Sequence, residues 1–192
     1  MATKDPLKKL MRKFPAPAEL ESLLETLGQG DDRTIAIVGA SILEAILERF
    51  IQRRLAFCDA TLAGQLFYNR GPLSDFHGKI IVAQACGYIT PGMAKELLLV
   101  KSIRNAFAHT VVGISFDTPE VRTKVDESLM LTAMRTAGEP ESTVPIAEGR
   151  RAFALVVRLL AIVIDSNHQE AGGDPFTVKM SPYRPADLPD TH

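Results

Sequence analysis

The side chains best suited to chemistry lie together in Lys101-Ser102-Ile103-Arg104-Asn105-Ala106-Phe107-Ala108-His109. Arginine presents a fixed cationic fork to phosphate or carboxylate, and imidazole moves a proton near neutral pH. The run therefore reads as a candidate site in which proton transfer takes place beside an anion. It also reads as helix, and helix geometry qualifies the idea. Positions five apart point about 140° away from each other, whereas positions four apart, such as Asn105 and His109, share a face. Arg104 and His109 converge only if the helix ends near His109 or if two subunits face each other across a symmetry axis. Thr110-Val111-Val112-Gly113, with β-branched residues and then glycine, permits such an ending. A structural role competes with the chemical one. Arginine and asparagine near a helix C-terminus bind carbonyls or a carboxylate, here Asp117 or Glu44, and histidine there interacts favourably with the helix dipole.

Other candidates carry less. His77 has no ligand pair nearby, and His168 and His192 lie at or beyond the end of the last expected helix, so all three read as surface or edge residues. Ser41 and Ser74 lack the strained glycine elbow of a hydrolase nucleophile, and Ser74 reads as a helix cap. Cys58 and Cys86 show no paired-cysteine spacing and no histidine placed to complete a zinc site; both read as buried free thiols. No metal or other cofactor is expected.

The elements that would position the run are helices. Leu7, Leu10, Met11 and Phe14 recur at helical spacing among lysines and arginines, which predicts a short amphipathic helix ended by Pro15 and Pro17. A second short helix spans Glu19 to Leu27. Asp31 or Asp32 caps a long helix to about Phe57, with Ile35, Val38, Ile42, Ile46, Phe50 and Leu55 as its apolar face. A rival strand at Thr34 to Val38, feeding a dinucleotide loop at Gly39, is rejected because Ser41 and Glu44 stand where further glycines are needed. Gly64 to Tyr68 reads as helix, and Ser74 caps another from Asp75 to about Tyr88. Thr90-Pro91 opens the helix that carries the candidate run, buried along Leu97, Val100, Ile103 and Phe107. Val111 to Phe116 reads as an extended connection. Thr118-Pro119-Glu120 opens a capped helix through about Arg135, Gly138 to Pro145 is a polar loop, and Ala147 to Asn167 forms the closing helix. The fold class is all-α: a single-domain bundle of about six to eight helices. Its organisation is a basic arm and short helix over residues 1–30, a helical domain over 31–168, and a proline-rich, flexible tail over 169–192.

Composition narrows the function classes. The 192 residues, 46% of them hydrophobic, suffice for a core of one domain. Lysine plus arginine (22) nearly balances aspartate plus glutamate (23), so the global field does not call for nucleic acid or an anionic membrane. The start lacks the apolar core of a secretory signal, and the run Ala152 to Ile164 is short for a membrane span and contains Arg158. These features predict a cytoplasmic protein. The densest basic group, Arg49, Arg53 and Arg54, reads as a solvated helix flank.

Four elements in order carry a resemblance: Asp32-Arg33 opening the long helix through Val38-Gly39-Ala40; Gly71-Pro72-Leu73-Ser74-Asp75-Phe76; Ile103 to His109; and Ile114-Ser115-Phe116-Asp117-Thr118-Pro119-Glu120-Val121. Together they resemble the mannitol operon repressor family over about Asp31 to Asn167. That resemblance implies an all-helical bacterial transcription regulator without a recognisable DNA-binding motif. The sequence agrees, since no expected helix pair has a tight turn followed by a polar, basic recognition helix. Repression would then run through a protein partner, such as another transcription regulator, or through a small effector. A homodimer is expected, and direct DNA binding is not. Arg104, Asn105, His109 and Asp117 are the expected binding residues.

Arg104 and His109, with Asn105 after the arginine, also resemble the arginine, four residues, histidine signature of the HEPN superfamily. Its helical domains include metal-independent ribonucleases and non-catalytic nucleic-acid or toxin–antitoxin partners. This second resemblance implies RNA transesterification, with His109 as general base or acid, Arg104 on the phosphate charge and Asn105 orienting either group.

Overall fold

A computed structural model describes residues 14–55, 59–68, 70–137 and 149–169. Among these are eight α-helices and no strand: α1 (Pro17–Thr26), α2 (Asp32–Arg54), α3 (Ala60–Phe67), α4 (Phe76–Ala85), α5 (Pro91–His109), α6 (Pro119–Asp126), α7 (Leu129–Ala137) and α8 (Gly149–Gln169). A short 3₁₀ turn, Leu27–Gln29, follows α1. Most of the expected Leu7 to Phe14 helix, Cys58, the Gly138 to Pro145 loop and the tail from Glu170 lie outside the described residues.

The long helix α2 is the central element. Asp31 caps it by accepting from the Thr34 N–H at 3.0 Å, and it runs unbroken through Thr34 to Val38, where the rejected strand would have lain. Its buried surface is wider than one stripe: Ala36, Ala40, Leu43, Leu47 and Ile51 join Ile35, Ile42, Ile46 and Phe50. The width follows from its neighbours, since α2 packs most extensively on α8, then on α5, and also on α4. Gly39 sits where α2 meets α8; a Cβ there would lie 3.2 Å from Val157 Cγ2 and 3.4 Å from both Leu27 and Phe153. The glycine thus serves close helix approach, not phosphate binding. Phe107, Phe116 and Phe153 join α5, the segment after it and α8, with ring centroids 5.0 Å and 5.1 Å apart along the row.

Local signals placed most ends within a few residues. Thr90 Oγ1 accepts from the Met93 N–H at 3.2 Å, Pro91 occupies the first turn, and Leu97, Val100, Ile103 and Phe107 are all buried. The cap of α4 is Asp75, not Ser74: its carboxylate accepts from the Gly78 N–H at 3.0 Å. That helix stops at Ala85, and Gly87 takes a positive φ of 69° in the turn beyond. Cys86 lies at this end and is exposed, which corrects the buried thiol expected there. The third helix begins at Ala60 because Asp59 caps it through the Leu62 N–H at 2.8 Å.

One expected helix is two. The stretch from Thr118 to about Arg135 breaks between α6 and α7, and a carboxylate buried in α5 accounts for the break. Glu96, only 3% exposed, accepts from Ser128 Oγ at 2.7 Å and from the Leu129 N–H at 2.6 Å. Ser128 Oγ also accepts from the Leu131 N–H at 3.3 Å, so the serine caps a fresh helix start. Thr118 does not cap α6 with its side chain; its hydroxyl accepts from the Ser115 N–H at 3.0 Å and tightens the preceding turn.

Candidate functional site

The apolar stripe of α5 faces α2 and the core, which leaves Lys101, Arg104, Asn105, Ala108 and His109 on its outward side. Three of these, Lys101, Arg104 and Asn105, line a cleft of about 250 Å³. Ala40, Ser41 and Glu44 of α2 form a second wall, and Ser74, Asp75 and Phe76 at the start of α4 form a third. Tight packing fixes the approach of α4: Gly71 precedes it where a Cβ would fall 2.1 Å from the Gln65 carbonyl oxygen. Only glycine can hold that turn against the end of α3.

Arg104 is half-buried, and its Nη1 donates to Asn105 Oδ1 at 3.0 Å. The amide holds the guanidinium, and neither carboxylate expected to secure it, Glu44 or Asp117, pairs with it. Glu44 Oε1 accepts from Lys79 Nζ at 2.7 Å. Asp117 is exposed in the turn before α6, away from the residues that line the cleft, and its N–H donates to Ser115 Oγ at 3.2 Å. The carbonyl beyond the end of α5 is bound by a different arginine: Arg33 Nη2 donates to the Thr110 oxygen at 2.8 Å. The carbonyl-binding role considered for Arg104 therefore belongs to Arg33.

The neighbouring Asp32 completes this fastening. One of its oxygens accepts from the Phe116 N–H at 2.8 Å and the other from Arg150 Nε at 2.6 Å, tying the segment after α5 to α2 and α8. Asp32-Arg33 was visible as a motif, but its role was not, because its partners lie 77 to 118 residues away. Held at both ends, residues 111–115 form an irregular connection without helix or strand pairing, and Val111 and Val112 project into solvent.

The helix does end at His109, but it stays helical through that residue, and the histidine is exposed and outside the cleft lining, so the ending does not by itself bring it to Arg104. Arg104 and His109 thus remain about 140° apart around the axis within one chain. The structure brings Arg104 and Asn105 together with Lys101, Ser41 and Ser74; it does not add His109 or Asp117. Lys101 and the serine hydroxyls were absent from the expected site, although Lys101 stands four residues before Asn105 on the same face.

A buried network backs the cleft. Lys79, 3% exposed, places Nζ 2.7 Å from Glu44 and 3.0 Å from Glu48. Glu48 accepts further bonds from Tyr68 Oη at 2.7 Å and Gln52 Nε2 at 3.2 Å. No sequence signal marked Lys79 as buried, because the two glutamates that compensate it lie on another helix. The basic group Arg49, Arg53 and Arg54 is only partly a solvated flank: Arg49 lies 4.0 Å above the Phe14 ring and Arg54 4.4 Å above Phe50. Among the described residues, no helix is long and apolar enough to cross a membrane.

No protein-family model and no curated protein matches the chain. Among solved structures, it is similar to a chain in the X-ray structure of the MtlR–HPr complex from Escherichia coli. The TM-score is 0.60 at 17% sequence identity, with 76% of this chain and 97% of that chain covered. Nearly the whole of the other chain thus has a counterpart here. The likeness is one of fold: the chain has the mannitol-repressor-like fold that the four ordered motifs implied.

Proposed function

We propose that this protein is a cytoplasmic regulator of the mannitol-repressor kind that acts by binding a partner protein and does not read a DNA sequence itself. The observation that carries the reading is the likeness of fold over 97% of a chain whose structure was solved in a complex with HPr. The outward side of α5 supports binding over catalysis. Its arginine is oriented by Asn105 toward a cleft, while the histidine that would complete an acid–base pair points elsewhere in the same chain. Ribonuclease chemistry would need a second chain to bring an imidazole to Arg104.

Calorimetric titration with the HPr of the source organism tests the proposal, with light scattering to follow whether the free chain is the expected homodimer. Saturable binding to HPr is expected, together with no sequence-specific retention of duplex DNA at physiological salt. A tight, salt-robust operator footprint would overturn it. So would cleavage of mixed single-stranded RNA in EDTA that is lost in both Arg104→Ala and His109→Ala while the fold is retained.

A further inference from the structure

We infer that the cleft between α2, the start of α4 and α5 binds a small oxyanion carrying hydroxyl or ammonium groups, its anionic end on Lys101 and Arg104. The inference goes beyond the regulator reading and does not depend on it. Lys101 and Arg104 stand one turn apart on α5, both half-buried, and neither has a carboxylate partner among the described residues. Half-buried cations have lost part of their hydration, and an anion arriving from solution would restore the missing partner. Arg104 is also pre-oriented, since Asn105 Oδ1 already holds one arm of its guanidinium. Less side-chain freedom remains to be lost when a ligand binds.

The opposite walls explain both why the cations stay open and what the rest of the ligand must offer. Glu44 lines the cleft, yet Lys79 draws its Oε1 back into the bundle. Asp75 lines it too, but uses Oδ1 to cap α4 through the Gly78 N–H. Each carboxylate keeps a second oxygen as an acceptor, so donors on the ligand, hydroxyl or ammonium, suit that side. Ser74 adds a hydroxyl to the α4 wall, while Ser41 lines the α2 wall with its hydroxyl donating to the Ile37 carbonyl at 2.8 Å. The volume, about 250 Å³, lies below the roughly 300–1,000 Å³ of sites for drug-sized molecules. A compact metabolite fits that size better than a stretch of polymer. Phosphate and carboxylate share the required chemistry, and the experiment separates them.

The test is calorimetry on the full chain with glycerol 3-phosphate and, separately, malate, against glycerol and chloride at matched ionic strength. One site per chain is expected for at least one anion, with affinity reduced about tenfold or more in Arg104→Gln and Lys101→Met. Ser41→Leu, which fills the cleft without changing charge, should abolish binding. Circular dichroism and melting curves identify any variant that fails to fold, and the remaining two then decide. No binding of either anion at about 10 mM, or binding unchanged in the folded variants, would overturn the inference. A chain that binds HPr but neither anion refutes the cleft and leaves the regulator reading standing; a chain that binds an anion but not HPr does the reverse.

Discussion

Two polar clusters meet at Glu44 of α2, one toward α4 and one toward α5, and their side chains have opposite fates. On the inner side, Lys79 meets Glu44 and Glu48, Tyr68 and Gln52 complete Glu48, and every member finds its partner within the bundle. On the outer side, Lys101 and Arg104 face a cleft with only an amide to hold one of them. Lysine or arginine beside glutamate occurs in both, so residue type does not separate them. Satisfaction does: a cluster that closes on itself holds the fold together, and one left open is poised to take up something else.

Removing a closed partner should do the most damage. Lys79→Met leaves two carboxylates facing each other with little water, and urea unfolding should show a loss of about 3 kcal/mol, part of the full cost being screened at the half-exposed Glu44. A loss under about 1 kcal/mol would place the trio with surface ion pairs and erase the contrast between the clusters. Glu96→Ala comes next, since it strands the Ser128 hydroxyl and the Leu129 N–H at the start of α7. It should cost about 2 kcal/mol, and Glu96→Gln, which keeps an acceptor, should cost less. Urea unfolding of Arg104→Ala should show a change within about 0.5 kcal/mol, because the open cluster does not support the fold. A large loss there would make Arg104 structural after all.

The smallest effect belongs to Asp31. Hydrogen bonds from the Thr34 hydroxyl and N–H hold its carboxyl below the ordinary value of 3.8. A carboxyl lowered on folding contributes stability fully above that ordinary value and loses it as the pH falls below, through the folded-state pKa. Asp31→Ala should therefore melt slightly below the wild type at neutral pH, and the gap should narrow as the solution is acidified past 3.8. A gap independent of pH would remove the carboxylate from the cap.

Signals confined to a few consecutive residues were the ones legible in advance. Asp31 before α2, Thr90-Pro91 before α5 and the Leu97, Val100, Ile103, Phe107 stripe all depend on spacing within a turn or two. What failed depends on distant partners. Nothing near Glu96 announces that Ser128, 32 residues on, will need its carboxylate, and nothing near Glu44 announces Lys79, 35 residues on. Only one wall of the candidate site was read, in part, in the same way. Arg104 and Asn105 were found because both lie on one helix, whereas the walls formed by Ser41, Glu44, Ser74 and Asp75 come from two others.

Residue order is enough for the all-helical class, the central helix, the face of α5 that turns inward and the family likeness of its motifs. Periodicity and capping are local, and they act before any two helices meet. Tertiary structure alone decided which charges close on one another and which stay open. Glu44 could have paired with Arg104 or with Lys79, and only the packing of α4 against α2 selected Lys79. Desolvation makes the choice: Lys79 is carried almost wholly out of water and requires a counter-charge, while Arg104 keeps contact with solvent and can wait for one.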